Sequence, residues 1–246
     1  MMASRRRRRR PDGVACPIPS PSGAGGATMP DGSAQRPPSP VVVGHGMDDL
    51  ARIRLPGIEL ALWRRDLPAP LAEALATLDP AGYPDGRVLA RPPDLATAIG
   101  SLIAPSALAG TAAGRLLAAD IEALAQRFAA LFAAAAVDIR LEALGHDACW
   151  KFHRDHVPAR LVTTYAGPGT EWVLPAHGAS ALDDQKDYTG PMERLAAGEV
   201  ALFRGCQPGH DHGIVHRSPP VAGTGITRLF LCLNLPSPAS PGLWRV

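Results

Sequence analysis

The chain contains no run of 18 or more apolar residues, so no membrane-spanning helix is expected. Its four cysteines, Cys16, Cys149, Cys206 and Cys232, show neither C-x-x-C spacing nor the density of a disulfide scaffold. A G-x-S-x-G elbow, a Walker loop and a strand-linked G-x-G-x-x-G are all missing, which leaves nucleophilic hydrolysis and nucleotide binding without support. No apolar segment follows the basic N-terminus, because "PDGVACPIPSPSGAGG" is rich in Pro, Gly and Ser. A secretory signal is therefore not expected, and the simplest compartment is the cytoplasm.

What is present suffices for a core: 46% of the 246 residues are hydrophobic. The formal charge of +2 hides an asymmetry, since Arg5 to Arg10 form one uninterrupted run. Without them, 19 basic residues face 23 acidic ones, a net of −4. The body is mildly acidic and only its tip is basic. The arginine run carries no interleaved aromatics, so specific nucleic-acid or membrane binding is not expected of it. Residues 1–40 read as a disordered tail.

Periodic apolar content begins at Val41. A strand or two is expected around Ile58–Trp63, and helices over "APLAEALATLDP" and "PPDLATAIGSLI". The longest helix should run from about Ala113 to Ala135, with Leu117, Ile121, Leu124, Phe128, Leu131 and Phe132 on one stripe. At Val137 the period changes from helical to two-residue, in "VDIRLEAL". Short strand-like runs follow: "CWKFHRDH", "ARLVTTYAG", "TEWVLPA", "EVALFRG", "GIVHRS" and "TRLFLCLNL". The order predicts an α+β protein, with a mainly helical buttress over 41–136 and a β-barrel or sandwich over 137–246.

Within that β-rich part, His153 and Asp155 lie two apart and would share one strand face. With His216 from an apolar strand they make two histidines and one carboxylate, the donor set of non-haem Fe(II) oxygenases. Arg228, 12 residues after His216, would be costly inside an apolar strand without an anionic partner. A bound dicarboxylate such as 2-oxoglutarate would supply one, and so would Glu171 or Glu199. Arg160 faces the same choice. "GPGTEW" lines a pocket mouth through Glu171 and Trp172, or is a tight turn before a core Trp. Cys149 is either a further ligand that would suit Zn²⁺ or a small buried hydrophobe.

From Phe152 to Leu233 the chain resembles the double-stranded β-helix (jelly-roll, cupin-like) core of the 2-oxoglutarate/Fe(II) dioxygenases, in their prolyl-hydroxylase-like branch. The order of H-x-D at 153–155, "RLVTTY", "GPGTEW", "LAAGEVALFRG", His216 and Arg228 carries the resemblance. It also resembles a bacterial family catalogued as a domain of unknown function, with hallmarks "FHRD", "TYAGPGTEW" and "HRSPP". The first resemblance implies Fe(II) on His153, Asp155 and His216, with 2-oxoglutarate anchored on Arg228 near Tyr165. The reaction implied is hydroxylation of a small-molecule or peptide substrate. The second implies no activity. Its members tend to lie beside zinc-homeostasis genes, which implies an alternative: a non-catalytic Zn²⁺ protein whose fourth ligand is Cys149 or a loop histidine (His210 or His212).

Overall fold

The computed structural model describes residues 39–206 and 213–245. The expected tail lies outside them except for Ser39 and Pro40, and so do His210 and His212. In chain order the described elements are β1 (Val41–Gly44), β2 (Leu60–Trp63), α1 (Ala69–Thr77), β3 (Gly86–Ala90), α2 (Leu95–Ile103) and α3 (Ala112–Phe132). Then follow β4 (Val137–Leu144), β5 (Ala159–Ala166), β6 (Glu171–Trp172), α4 (Pro175–Asp184), β7 (Glu193–Arg194), β8 (Val200–Arg204), β9 (His216–Arg217) and β10 (Arg228–Asn234). Among the described residues no helix is long and apolar enough to cross a membrane.

Seven strands form one large sheet in the order β1-β2-β8-β5-β10-β4-β3. Every pairing in it is antiparallel except β1 with β2. A small sheet has the order β7-β6-β9, and an isolated antiparallel bridge joins His153 to His216 beside β9. Two-residue alternation sorts the side chains of the large sheet. Ile139 and Leu141 of β4, Leu161 of β5 and Leu229, Leu231 and Leu233 of β10 join one buried cluster with Leu117, Ile121, Leu124 and Phe128 of α3. On the opposite face, Val162 and Cys232 pack with Trp172 of the small sheet and with Phe203 and Ile214. The sheet is thus covered by helices on one side and by the small sheet on the other.

The α3 stripe is buried as its spacing predicts, apart from Phe132 at the end, which is half-buried. Thr111 caps the helix by accepting from the Gly114 N–H at 2.9 Å, and Ala133 ends it in the left-handed region at φ 49°.

Residues 41–136 also supply strands: β2 falls where one was expected, β1 and β2 lie at one edge of the large sheet and β3 forms the other. Two differences from the sequence reading matter. "TEWVLPA" stops being strand after Trp172, and Pro175 begins α4, a position where its missing N–H has no helical partner to lose. "CWKFHRDH" is irregular except at the His153 bridge. Cys149 sits at φ 50° and turns the chain there, so no continuous strand can form.

Candidate metal centre

The irregular stretch is held by backbone bonds to its neighbours rather than by a regular ladder. His153 and His216 exchange both N–H···O bonds at 3.0 Å, Ser218 N–H reaches Cys149 O at 3.0 Å, and Cys206 N–H reaches Asp155 O at 2.7 Å. The two histidines and Asp155 come together this way and not by strand parity. One ligand atom from each, an imidazole nitrogen of both histidines and a carboxylate oxygen, lies within 4.8 Å of the other two.

Hydrogen bonds fix the direction of both imidazoles. His153 Nδ1 lies 2.8 Å from Lys151 O, and His216 Nδ1 lies 3.0 Å from Ile214 O. A carbonyl can only accept, so each Nδ1 carries a proton and each ring turns its Nε2 away from that carbonyl. Backbone carbonyls fix the tautomer of metal-ligating histidines in this manner. His216 also stacks on Phe203 at 4.3 Å between centroids. Burial pushes the His216 imidazole down to about 4, outweighing the opposing pull of Asp155, so the ring is neutral at neutral pH.

Asp155 is buried and its two oxygens differ. Oδ1 accepts from Arg160 Nη1 and lies 3.8 Å from His153 Nε2. Oδ2 lies 3.4 Å from His216 Nε2 and is buried with no hydrogen-bond partner. A bare carboxylate oxygen in the interior is costly, and a cation removes that cost. These are the donor types and the open geometry that a divalent metal takes.

A cavity of about 190 Å³ is lined by His153 and His216 and by Arg140, Glu142, Cys149, Arg160, Phe230 and Cys232. Cys149 is exposed and is not part of the close group. It lines the cavity with His153 and His216, and its exposure corrects the expectation of a small buried hydrophobe.

Arg228 is 1% exposed. Its Nε donates to Pro168 O at 2.7 Å and its Nη2 to Thr164 Oγ1 at 3.3 Å, while Phe230 covers the guanidinium at 5.1 Å. Burial pulls it down to about 10. Among the described residues no carboxylate reaches it as an ion pair. Glu199 pairs with Arg64, and the buried Glu171 is taken by Arg217 at 2.7 Å and by Arg194. Arg228 shares the cavity-facing side of β10 with Phe230 and Cys232 but stands behind Phe230.

Tyr165 requires a correction. It shares the helix-covered face of β5 with Leu161 and donates to Asp120 Oδ2 of α3 at 2.7 Å, beside Arg65. Five residues from Arg160 on one strand, it must face the opposite way, and it cannot reach a ligand in the cavity. Trp172 is buried between the sheets with its indole N–H unpartnered.

Two residues that sequence reading did not single out brace the centre. Asn234 accepts from Arg160 Nε at 2.9 Å; its signal was parity with Arg228 and Cys232 at the end of "RLFLCLN". Gln185, at φ 52° and ψ −112°, clamps Phe152 by accepting from its N–H at 2.9 Å and donating to its carbonyl at 3.0 Å. No sequence signal marks it. That side-chain amide replaces a missing strand beside the first ligand, and strained backbone of this kind persists only where surroundings impose it. Gln185→Gly relieves the backbone and removes the clamp. Divalent-metal affinity by equilibrium dialysis is expected to fall about tenfold, while the melting temperature stays within a few degrees of wild type. Unchanged affinity would leave Gln185 without a role at the centre.

A family model described as "Protein of unknown function (DUF1826)" matches residues 44–234. No curated protein matches the chain. Among solved structures, AviO1 of Streptomyces viridochromogenes is 18% identical, with a TM-score of 0.37, over 80% of this chain and 97% of that one. The Arabidopsis thaliana dioxygenase for auxin oxidation, in its 2-oxoglutarate complex, is 11% identical, with a TM-score of 0.40, over 82% and 95%. A Pseudomonas putida prolyl-4-hydroxylase is 14% identical, with a TM-score of 0.31, over 69% and 96%.

Proposed function

We propose that this chain, which belongs to the DUF1826 family, is a metal-dependent oxygenase of the Fe(II)/2-oxoglutarate type. One observation carries the reading: His153 and Asp155 on one stretch of backbone and His216 on another bring two imidazole nitrogens and a carboxylate oxygen within 4.8 Å of one another, and Asp155 Oδ2 is buried without a hydrogen-bond partner. The strand order supports reading residues 137–246 as a double-stranded β-helix. Strands β8-β5-β10-β4 lie on one side, and β7-β6-β9 with the His153 bridge on the other.

His153, Asp155 and His216 would hold the metal, and the adjoining cavity leaves its remaining positions open to small ligands. Iron with 2-oxoglutarate supplies the oxidative chemistry. The chain's own contribution is orientation and exclusion of water. The backbone carbonyls of Lys151 and Ile214 hold both rings in one tautomer, and Phe203 stacks against His216 to keep it dry. Among the described residues Arg228 is a buried cation with no carboxylate in ion-pair contact, and a distal carboxylate would complete it.

Protein purified without oxygen is expected to bind one divalent ion per chain. Iron-loaded protein is expected to gain a weak visible charge-transfer band when 2-oxoglutarate is added, and His216→Ala to lose both ion and band. Zinc retained at one ion per chain, with no response to 2-oxoglutarate, would instead make this a zinc-binding protein. Among the described residues such a zinc site would have three close protein ligands.

A further inference from the structure

We infer that Arg160 and Asn234 are positioning residues that restrict Asp155 to one coordinating oxygen, Oδ2; the inference rests on the metal reading above. Three contacts, all on the cavity side of the large sheet, form a chain. Cys232 Sγ accepts from Asn234 Nδ2 at 3.3 Å, Asn234 Oδ1 accepts from Arg160 Nε at 2.9 Å, and Arg160 Nη1 donates to Asp155 Oδ1. Asn234 and Arg160 are direct cross-strand partners on β10 and β5, so regular sheet pairing sets their separation.

A guanidinium is a rigid fork. Held through Nε on one strand, it has little freedom to turn, and Nη1 stays on the carboxylate. The Asp155 side chain is 3% exposed, so water does not compete for Oδ1. The carboxylate therefore enters coordination with one oxygen already occupied and the other without a partner. A carboxylate free to use both oxygens would fill a position that small ligands need. Here the two oxygens are made unequal before any ion arrives.

The arrangement has a cost that identifies it as positioning. A cation beside a metal ion repels it, so Arg160 is not there to attract the metal. A test must therefore keep the charge. Arg160→Lys keeps it but cannot span Asn234 and Asp155 together. Asn234→Leu keeps Arg160 and removes its anchor.

Apo protein is titrated with Co²⁺, followed by its visible ligand-field spectrum and by equilibrium dialysis. Both variants are expected to bind Co²⁺ about 10–100-fold more weakly than wild type, with altered band positions or intensities. The double variant should be no weaker than Arg160→Lys alone, because Asn234 acts through Arg160. Asn234→Asp keeps an oxygen for Arg160 Nε and should restore wild-type affinity and spectrum. Circular dichroism melts establish that each variant is folded; should Arg160→Lys not fold, the Asn234 pair decides. Wild-type affinity and spectrum in folded Asn234→Leu would overturn the clamp while leaving the metal reading intact. So would additive losses in the double variant, or no rescue by Asn234→Asp. Wild-type protein that takes up no Co²⁺ would overturn both.

Discussion

Gly205→Ala is expected to lower the melting temperature by about 10 °C and to abolish metal uptake. A Cβ there would lie 1.7 Å from Val157 O and 2.9 Å from Asp155 O. Both obstacles are backbone atoms, which no rotamer change can move. Gly205 and Cys206 donate to Pro158 O and Asp155 O at 3.3 and 2.7 Å, so this approach sets the height of the Asp155 loop. Overpacking typically costs 1–3 kcal/mol and occasionally more. For a backbone clash the upper end is expected, about 3 kcal/mol, and each kcal/mol moves the melting point of a chain this size by about 2–4 °C. Gly100→Ala is the control. It lies exposed in α2 with nothing within 4 Å of the added carbon, and should stabilise by about 0.5–1 kcal/mol. Calorimetry and metal analysis of the two variants decide the matter. A Gly205→Ala protein that melts and binds metal like wild type would mean the loop does not depend on that contact.

Arg228→Met should separate metal from co-substrate. The apo variant is expected to melt within a few degrees of wild type. It removes a buried cation that no carboxylate pairs with among the described residues, at the cost of leaving Pro168 O and Thr164 Oγ1 without a donor. Metal content should be unchanged, since Arg228 is outside the group of three. Affinity for 2-oxoglutarate, read from the charge-transfer band, should fall at least about 30-fold, as removing one partner of a buried charged pair costs about 2–5 kcal/mol. Arg228→Lys should recover part of it, keeping the charge without the fork. Full 2-oxoglutarate affinity in Arg228→Met would reassign the anchor to a cation that lines the cavity, Arg140 or Arg160.

Much of this architecture was legible because period carries face. "VDIRLEAL" and "TRLFLCLNL" alternate, and Ile139, Leu141, Leu229, Leu231 and Leu233 join the cluster that holds α3, whereas Leu144 lines the cavity. The three residues that come together could be named from type and order, although the stretch from His153 to Asp155 is irregular rather than strand. Burial of Arg228 was also legible, from its place in an apolar run. Facing was harder. Arg160 and Tyr165 are both polar residues of β5, and alternation says only that they point apart. Pairing with β10, distant in sequence, decides that Arg160 takes the cavity. Strands β1 and β3 are short and half-exposed and owe their form to the partners they dock on. Gln185 lies 33 residues from the backbone it clamps, a distance at which no periodicity operates.

The edges of the large sheet come from residues 41–90, yet β2 pairs with β8, more than half the chain later, at Trp63 with Val200. During synthesis the first strands emerge long before anything exists to receive them. Completion must wait for the last segments, and contacts this remote make assembly slow. Until β8 arrives, Leu60 and Leu62, fully sequestered in the finished protein, are open to unwanted association. A nascent chain of this design has reason to depend on chaperone protection late into translation.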